Sequence, residues 1–131
     1  METPDYLEGL CAKSPSQGGE SLYEHTWHVV ARFADQARLR SSIARQIGNP
    51  RLWHQLYWSC FLHDFGKAAS GFQRMLATDG KDRWKYRHEV GSLAFLGWLF
   101  PDTRSEDYRW IVAAIVSHHK LVVSLPADSE G

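Results

Sequence analysis

An all-α fold is what the sequence predicts, and three observations carry that expectation. Apolar residues recur at helical spacing in several segments, start and stop signals bracket those segments, and no polar/apolar alternation runs long enough to demand a sheet. At 131 residues the chain suits one domain that buries roughly two-thirds of its unfolded surface. It needs no disulfide or metal staple to fold.

Residues 1–20 read as a loose lead-in, since Ser14-Pro15-Ser16 and Gln17-Gly18-Gly19 interrupt any periodicity. Ser21-Leu22-Tyr23-Glu24 then forms a capping box, in which the Ser oxygen and the Glu carboxylate satisfy free N–H groups at a helix start. Leu22, Val29, Phe33 and Ala37 share one face of the helix that follows, predicted over 22–47 with Gly48 stopping it. Asn49 and Pro50 supply a cap and a favoured first-turn residue for a second helix. Leu52, Trp53, Leu56, Tyr57, Cys60 and Phe61 carry its period toward Asp64, and Gly66 is expected to close it. A short segment near 71–76 and a polar stretch over 78–87 lead to a helical run from His88 to Phe100, stopped by Pro101. A last helix is predicted over 105–121, its start rich in Ser105, Glu106 and Asp107, which suit the positive end of the helix dipole.

Composition excludes several function classes. Lys+Arg and Asp+Glu are both 15, so no global field gathers nucleic acid or an anionic membrane, and any polyanion needs a local patch. The longest apolar stretches, 93–100 and 111–116, fall far short of the roughly 18–20 residues that span a bilayer. The acidic N-terminus is unlike a signal peptide. Cys11 and Cys60 stand far apart with no CxxC spacing, which argues against a disulfide framework or a thiolate zinc site. A cytoplasmic setting without a membrane partner fits these features.

Chemistry concentrates in histidine. Five of the seven, His25, His63, His88, His118 and His119, fall where they could converge. His63 and Asp64 lie side by side at the end of an apolar helix, where an aspartate opposes the dipole and therefore calls for a reason. Imidazole nitrogen and carboxylate oxygen suit divalent transition metals, and one carboxylate can bridge two ions. Gly66 frees the turn after the pair, and Lys67 is a cation suited to a phosphate oxygen. His28, one turn from His25, is more often a solvated or core histidine, and His54, between Trp53 and Gln55, has no motif support.

His25, then His63-Asp64 with Gly66 and Lys67, then Arg87-His88-Glu89, then Ser117-His118-His119, in that order, resemble the HD superfamily of metal-dependent phosphohydrolases. More narrowly the set is similar to the HD nuclease domain of the CRISPR-associated nuclease-helicase of type I interference, over about residues 21–120. The resemblance implies an HD-domain helical bundle and a site for two divalent transition-metal ions, with Mn, Ni, Co, Fe and Zn all compatible. In that arrangement His25, His63 and Asp64 surround one ion, while Asp64 bridges to a second held by His88, His118 and His119. Asp64 and Lys67 are the implied catalytic residues, Lys67 contacting the scissile phosphate. The family also carries a further aspartate well downstream of the double histidine. Here the chain ends twelve residues after His119, and Asp128, past Pro126 in a polar tail, is the sole later aspartate, so 21–131 reads as a nuclease domain lacking its C-terminal part.

Lys81, Arg83, Lys85 and Arg87 interleave with Trp84 and Tyr86 just before His88; four cations against Asp82 leave +3. Such a stretch resembles an entry lip for a single strand, and equally a solvated loop anchored by its aromatics. The expected activity is hydrolysis of single-stranded DNA, delivered by a helicase domain or a CRISPR effector complex because the chain itself is neutral. An HD phosphohydrolase acting on small nucleotides, or a non-catalytic remnant that docks to a partner, are the alternatives.

Overall fold

The computed structural model describes residues 9–119. Its α-helices are α1 (Leu22–Leu39), α2 (Ile43–Gln46), α3 (Leu52–Leu62), α4 (Ser70–Ala77), α5 (His88–Ser92), α6 (Leu96–Leu99) and α7 (Glu106–Ser117). Short 3₁₀ turns lie at Pro15–Gln17, Phe65–Ala68 and Leu93–Phe95. Among the described residues the β pairing amounts to one isolated bridge, Cys11 to Ser21, so the fold is all-α. No helix there is long and apolar enough to cross a membrane.

The start signals at Ser21 and Ser105 act as the sequence indicates. Ser21 Oγ accepts from the Glu24 N–H at 3.1 Å and Glu24 returns a bond to the Ser21 N–H at 3.2 Å, closing the capping box of α1. Ser105 Oγ accepts from the Tyr108 N–H at 3.2 Å at the start of α7. The expectation for Asn49 and Pro50 is not met: α3 starts at Leu52 with Arg51 at its N-cap and no side-chain cap bond, and Asn49 Oδ1 instead accepts from the Arg51 N–H in the turn before the helix. Leu62 of α3, Leu96 of α6, and Ile111 and Ile115 of α7 form the fully buried core, ringed by Trp58, Phe61, Phe65, Leu93 and Phe95. Truncating any one of these four aliphatics to Ala should cost about 2–5 kcal/mol. The core therefore clamps the C-terminal ends of α3 and α7 together, and both ends carry histidine.

Four further expectations need correction. The helix predicted over 22–47 breaks after Leu39 and resumes as the short α2. Ser41 and Ser42 are poor helix formers whose hydroxyls compete for backbone groups, and the break seats Ala44 in the interior. Gly48 does take the left-handed conformation, φ 70°. Secondly, α3 ends at Leu62 rather than at Gly66, and Gly66 serves close packing instead of a left-handed turn. A Cβ on Gly66 would fall 1.8 Å from the His88 carbonyl oxygen, so only glycine lets α5 lie on the turn after α3. Thirdly, α7 ends at Ser117, not at 121, and His118 and His119 form the turn beyond it.

Finally, the lead-in is not loose over its described part, 9–20. Gln73 of α4 accepts from the Cys11 N–H at 2.8 Å and donates to the Cys11 carbonyl at 2.9 Å. Lys67 Nζ donates to the Ala12 carbonyl at 3.2 Å, and Ala12 and Ser14 are buried.

Candidate metal centre

Asp64 is the hub. It sits in the turn between α3 and the 3₁₀ turn at Phe65–Ala68, 2% exposed, with imidazoles from four segments around it. Its two oxygens sort them. Oδ2 lies 3.1 Å from His25 Nε2 of α1, 3.3 Å from His63 Nε2 and 2.8 Å from Lys67 Nζ. Oδ1 lies 3.1 Å from His88 Nε2 at the start of α5 and 3.5 Å from His118 Nε2 just past α7. His119 joins the second group, its ring 4.1 Å from that of His118 and 4.9 Å from that of His88. One ligand atom from each of Asp64, His88, His118 and His119 falls within 4.8 Å of the others, and the same holds for His25, His63 and Asp64.

The orientation of each ring has a local cause. His63 closes α3, and its Nδ1–H donates to the Cys60 carbonyl at 2.7 Å. His118 does the same at the end of α7, donating to the Ile115 carbonyl at 2.5 Å. A helix terminus leaves its last carbonyls unpaired, and a histidine there can satisfy one of them. Because a carbonyl only accepts, each ring carries a proton on Nδ1 and turns its Nε2 toward Asp64. His25 Nδ1 is held by Glu20 Oε2 at 3.0 Å, and His88 Nδ1 stands 3.5 Å from Glu89 Oε2. Carboxylates and carbonyls behind metal-binding imidazoles fix tautomer and aim in this way.

Electrostatics agree. Burial pushes the Asp64 carboxyl up, but the imidazoles of His63 and His88 and the Lys67 ammonium outweigh it and hold the group well below the usual carboxylate range. Lys13 and then His28 hold Glu20 at about 2. Burial raises Glu89, and the Arg87 guanidinium more than offsets it, leaving about 2. Burial, reinforced by His118 and His88, lowers His119 and favours the neutral, lone-pair-bearing ring.

The residues fit a divalent metal, and two orphaned buried atoms point the same way. Asp64 Oδ1 and His88 Nε2 are buried and have no hydrogen-bond partner although they face one another. Ligands bonded to one ion at about 2.0–2.2 Å stand about 3.0–3.5 Å apart, which is the spacing found across both oxygens. An unpaired buried carboxylate oxygen and imidazole nitrogen would otherwise be costly.

His25, His63, Asp64, Lys67, His88, His118 and His119 are thus brought together. His28 is not: its Nδ1 bonds Glu20 Oε1 at 2.8 Å on the exposed side of α1. His54 lies beside Asp107 and Phe100, away from the cluster. In the basic stretch Lys81, Arg83 and Lys85 are exposed, and Trp84 is half-buried with its ring on Gly71 of α4. Arg87 has a partner within the protein, its guanidinium donating to Glu89 Oε1 at 2.5 Å. Asp128 lies outside the described residues.

Sequence reading missed Glu20, Glu89 and Ser92. The last is fully buried, accepts from the Gly66 N–H at 2.8 Å, and has the carbonyls of His63 and His88 at 2.9 and 3.1 Å. One hydroxyl thereby joins the turn bearing His63 to the helix bearing His88. Glu89, adjacent to His88, was open to discovery; nothing about Glu20 or Ser92 announces a role until α1, α3 and α5 are packed.

The family model described as Cas3, HD domain, matches residues 12–129, and the chain belongs to that family. Searches among curated proteins and solved structures find no match.

Proposed function

We propose that this Cas3-type HD domain is a metal-dependent nuclease that hydrolyses phosphodiester bonds of single-stranded DNA in type I CRISPR interference. The observation that carries the reading is the division of the Asp64 carboxylate, each oxygen facing its own set of imidazoles. His25, His63 and Asp64 would hold one divalent transition-metal ion, and Asp64, His88, His118 and His119 a second. Such ions, when bound, supply a water activated for attack and positive charge for the attacking and leaving oxygens of a phosphodiester.

The chain's own residues set the conditions for that chemistry. Lys67 keeps Asp64 ionised and fixes Oδ2 in place. The Nδ1 anchors on His25, His63 and His118 prevent their rings from turning away as a substrate enters. Lys67 is also the cation nearest the centre for a phosphate oxygen. Lys81, Arg83 and Lys85, with Trp84 between them and Arg87 braced on Glu89, would guide the strand toward His88. With no net charge to recruit DNA, the domain depends on a helicase domain or effector complex for delivery.

The test offers the chain labelled single-stranded DNA, a nucleoside triphosphate and a cyclic nucleotide in turn, each with manganese, nickel or magnesium. Strand cleavage abolished by Asp64→Ala is expected. Nucleotide hydrolysis without strand cleavage would remove the reading.

A further inference from the structure

Beside the Asp64 centre lies a recess of about 440 Å³ that shares one wall, His88, with it. Its floor is backbone. Gly66 and Gly91 are so close that a Cβ on Gly91 would stand 3.2 Å from the Gly66 Cα, and with Ala69 they leave a flat apolar surface. Trp84 and Tyr86 form the facing wall, edge to face with centroids 5.1 Å apart. Trp84 packs directly on α4, where a Cβ on Gly71 would fall 2.0 Å from its ring. Tyr86, by contrast, is 60% exposed. Lys85 and Arg87 stand at the mouth, Lys85 with its ammonium 5.2 Å from the Tyr86 centroid.

We propose that this recess takes one unpaired nucleobase of the strand whose phosphodiester lies at the Asp64 centre; the inference rests on the nuclease reading above. Flat apolar floor, aromatic wall and cationic mouth match a base with its flanking phosphates. The volume lies in the range of small-ligand pockets, roughly 300–1,000 Å³. A base in a duplex is paired on its edge and covered on both faces, so only an unpaired one can enter. The recess would therefore select single strands and set the position of the cut by one nucleotide's reach from His88.

The experiment uses the full chain with manganese and a series of labelled oligothymidylates in which one abasic residue is moved along the strand. Loss of a stacked base is expected to slow cleavage about 5- to 150-fold at one position relative to the cut and to leave other positions unaffected. Tyr86→Ala, at an exposed site where folding is not at stake, should erase most of that position dependence while calorimetric manganese binding stays unchanged. Cleavage indifferent to the abasic position, or a position dependence that survives Tyr86→Ala, overturns the subsite and leaves the nuclease reading standing. If no strand is cut at all, both fall.

Discussion

The two oxygens of Asp64 live in different surroundings. On the Oδ2 side a cation is already present: Lys67 Nζ sits at 2.8 Å, also bonded to the Ala12 carbonyl, with His25 and His63 close by. On the Oδ1 side there are imidazoles but no ammonium, and Oδ1 and His88 Nε2 are left without hydrogen-bond partners. One half of the centre is balanced by the protein's own charge, and the other keeps two buried polar atoms facing one another without a hydrogen bond. A divalent ion should enter the Oδ1 side first, where it meets less repulsion and relieves two buried orphans.

The most damaging way to test the contrast is Asp64→Ala, which removes the carboxylate common to both sides. Bound metal, counted by elemental analysis, should fall to the level of nonspecific binding, and phosphodiester cleavage should disappear. Metal content equal to that of the unaltered chain would contradict the assignment. Gly66→Ala strikes one side selectively at first, because the new methyl meets the His88 carbonyl. Thermal unfolding should show a loss of more than about 3 kcal/mol, with the Oδ1 side losing metal as α5 is pushed away.

Smaller changes sharpen the comparison. Glu20→Ala releases His25 Nδ1 and should weaken the Oδ2-side ion about 10- to 100-fold in a calorimetric titration, leaving the Oδ1 side as it was; Glu89→Ala should do the reverse. Lys67→Met takes the ammonium from Oδ2 and should bring the two metal affinities closer together without emptying either side. Equal shifts of both affinities in all these variants would sink the idea of two unlike halves.

The mildest effect lies away from the centre. Asp107 accepts from Arg51 and from the buried Gln55 Nε2 at 2.9 Å, tying α3 to α7 at the ends opposite the histidines. Asp107→Ala leaves Gln55 Nε2 without its acceptor, though Oε1 keeps its bond from Asn49 Nδ2, and should cost about 1–3 kcal/mol while metal binding is unaltered. Arg51, then Gln55, hold the Asp107 carboxyl below its ordinary value despite partial burial. Its folded pKa is thus lower than its unfolded one, so its contribution is full above the unfolded value near 4 and is lost as pH falls through the folded one. Denaturant titrations across that acidic range should show a shallower loss in the Asp107→Ala variant.

Much of the centre was legible because its chemistry is written locally. His63 and His118 each follow the last residue of a helix, and a histidine there bonds a carbonyl three residues back and presents Nε2 outward. Asp64 announced itself by opposing a helix dipole. The role of Gly66 was misread because a glycine after a helix usually marks a left-handed turn, whereas here the close approach comes from α5, twenty-two residues on. Arg87 was read as one of four cations in a basic stretch; its bond to Glu89 is made two residues along the chain, but pattern alone does not tell a cation facing solvent from one facing a buried carboxylate.

By itself the sequence determined helix content, the start signals at Ser21 and Ser105, and which imidazoles and carboxylate were candidates to gather at one centre, since capping, periodicity and ligand chemistry act over a few residues. Which oxygen of Asp64 each imidazole faces, which carboxylate stands behind it, and where Trp84 and Tyr86 enclose a recess were decided only by packing. Those relations join α1, α3, α5 and α7 across long stretches of chain. Their geometry follows from how side-chain volumes fill a shared interior, and no local spacing encodes that.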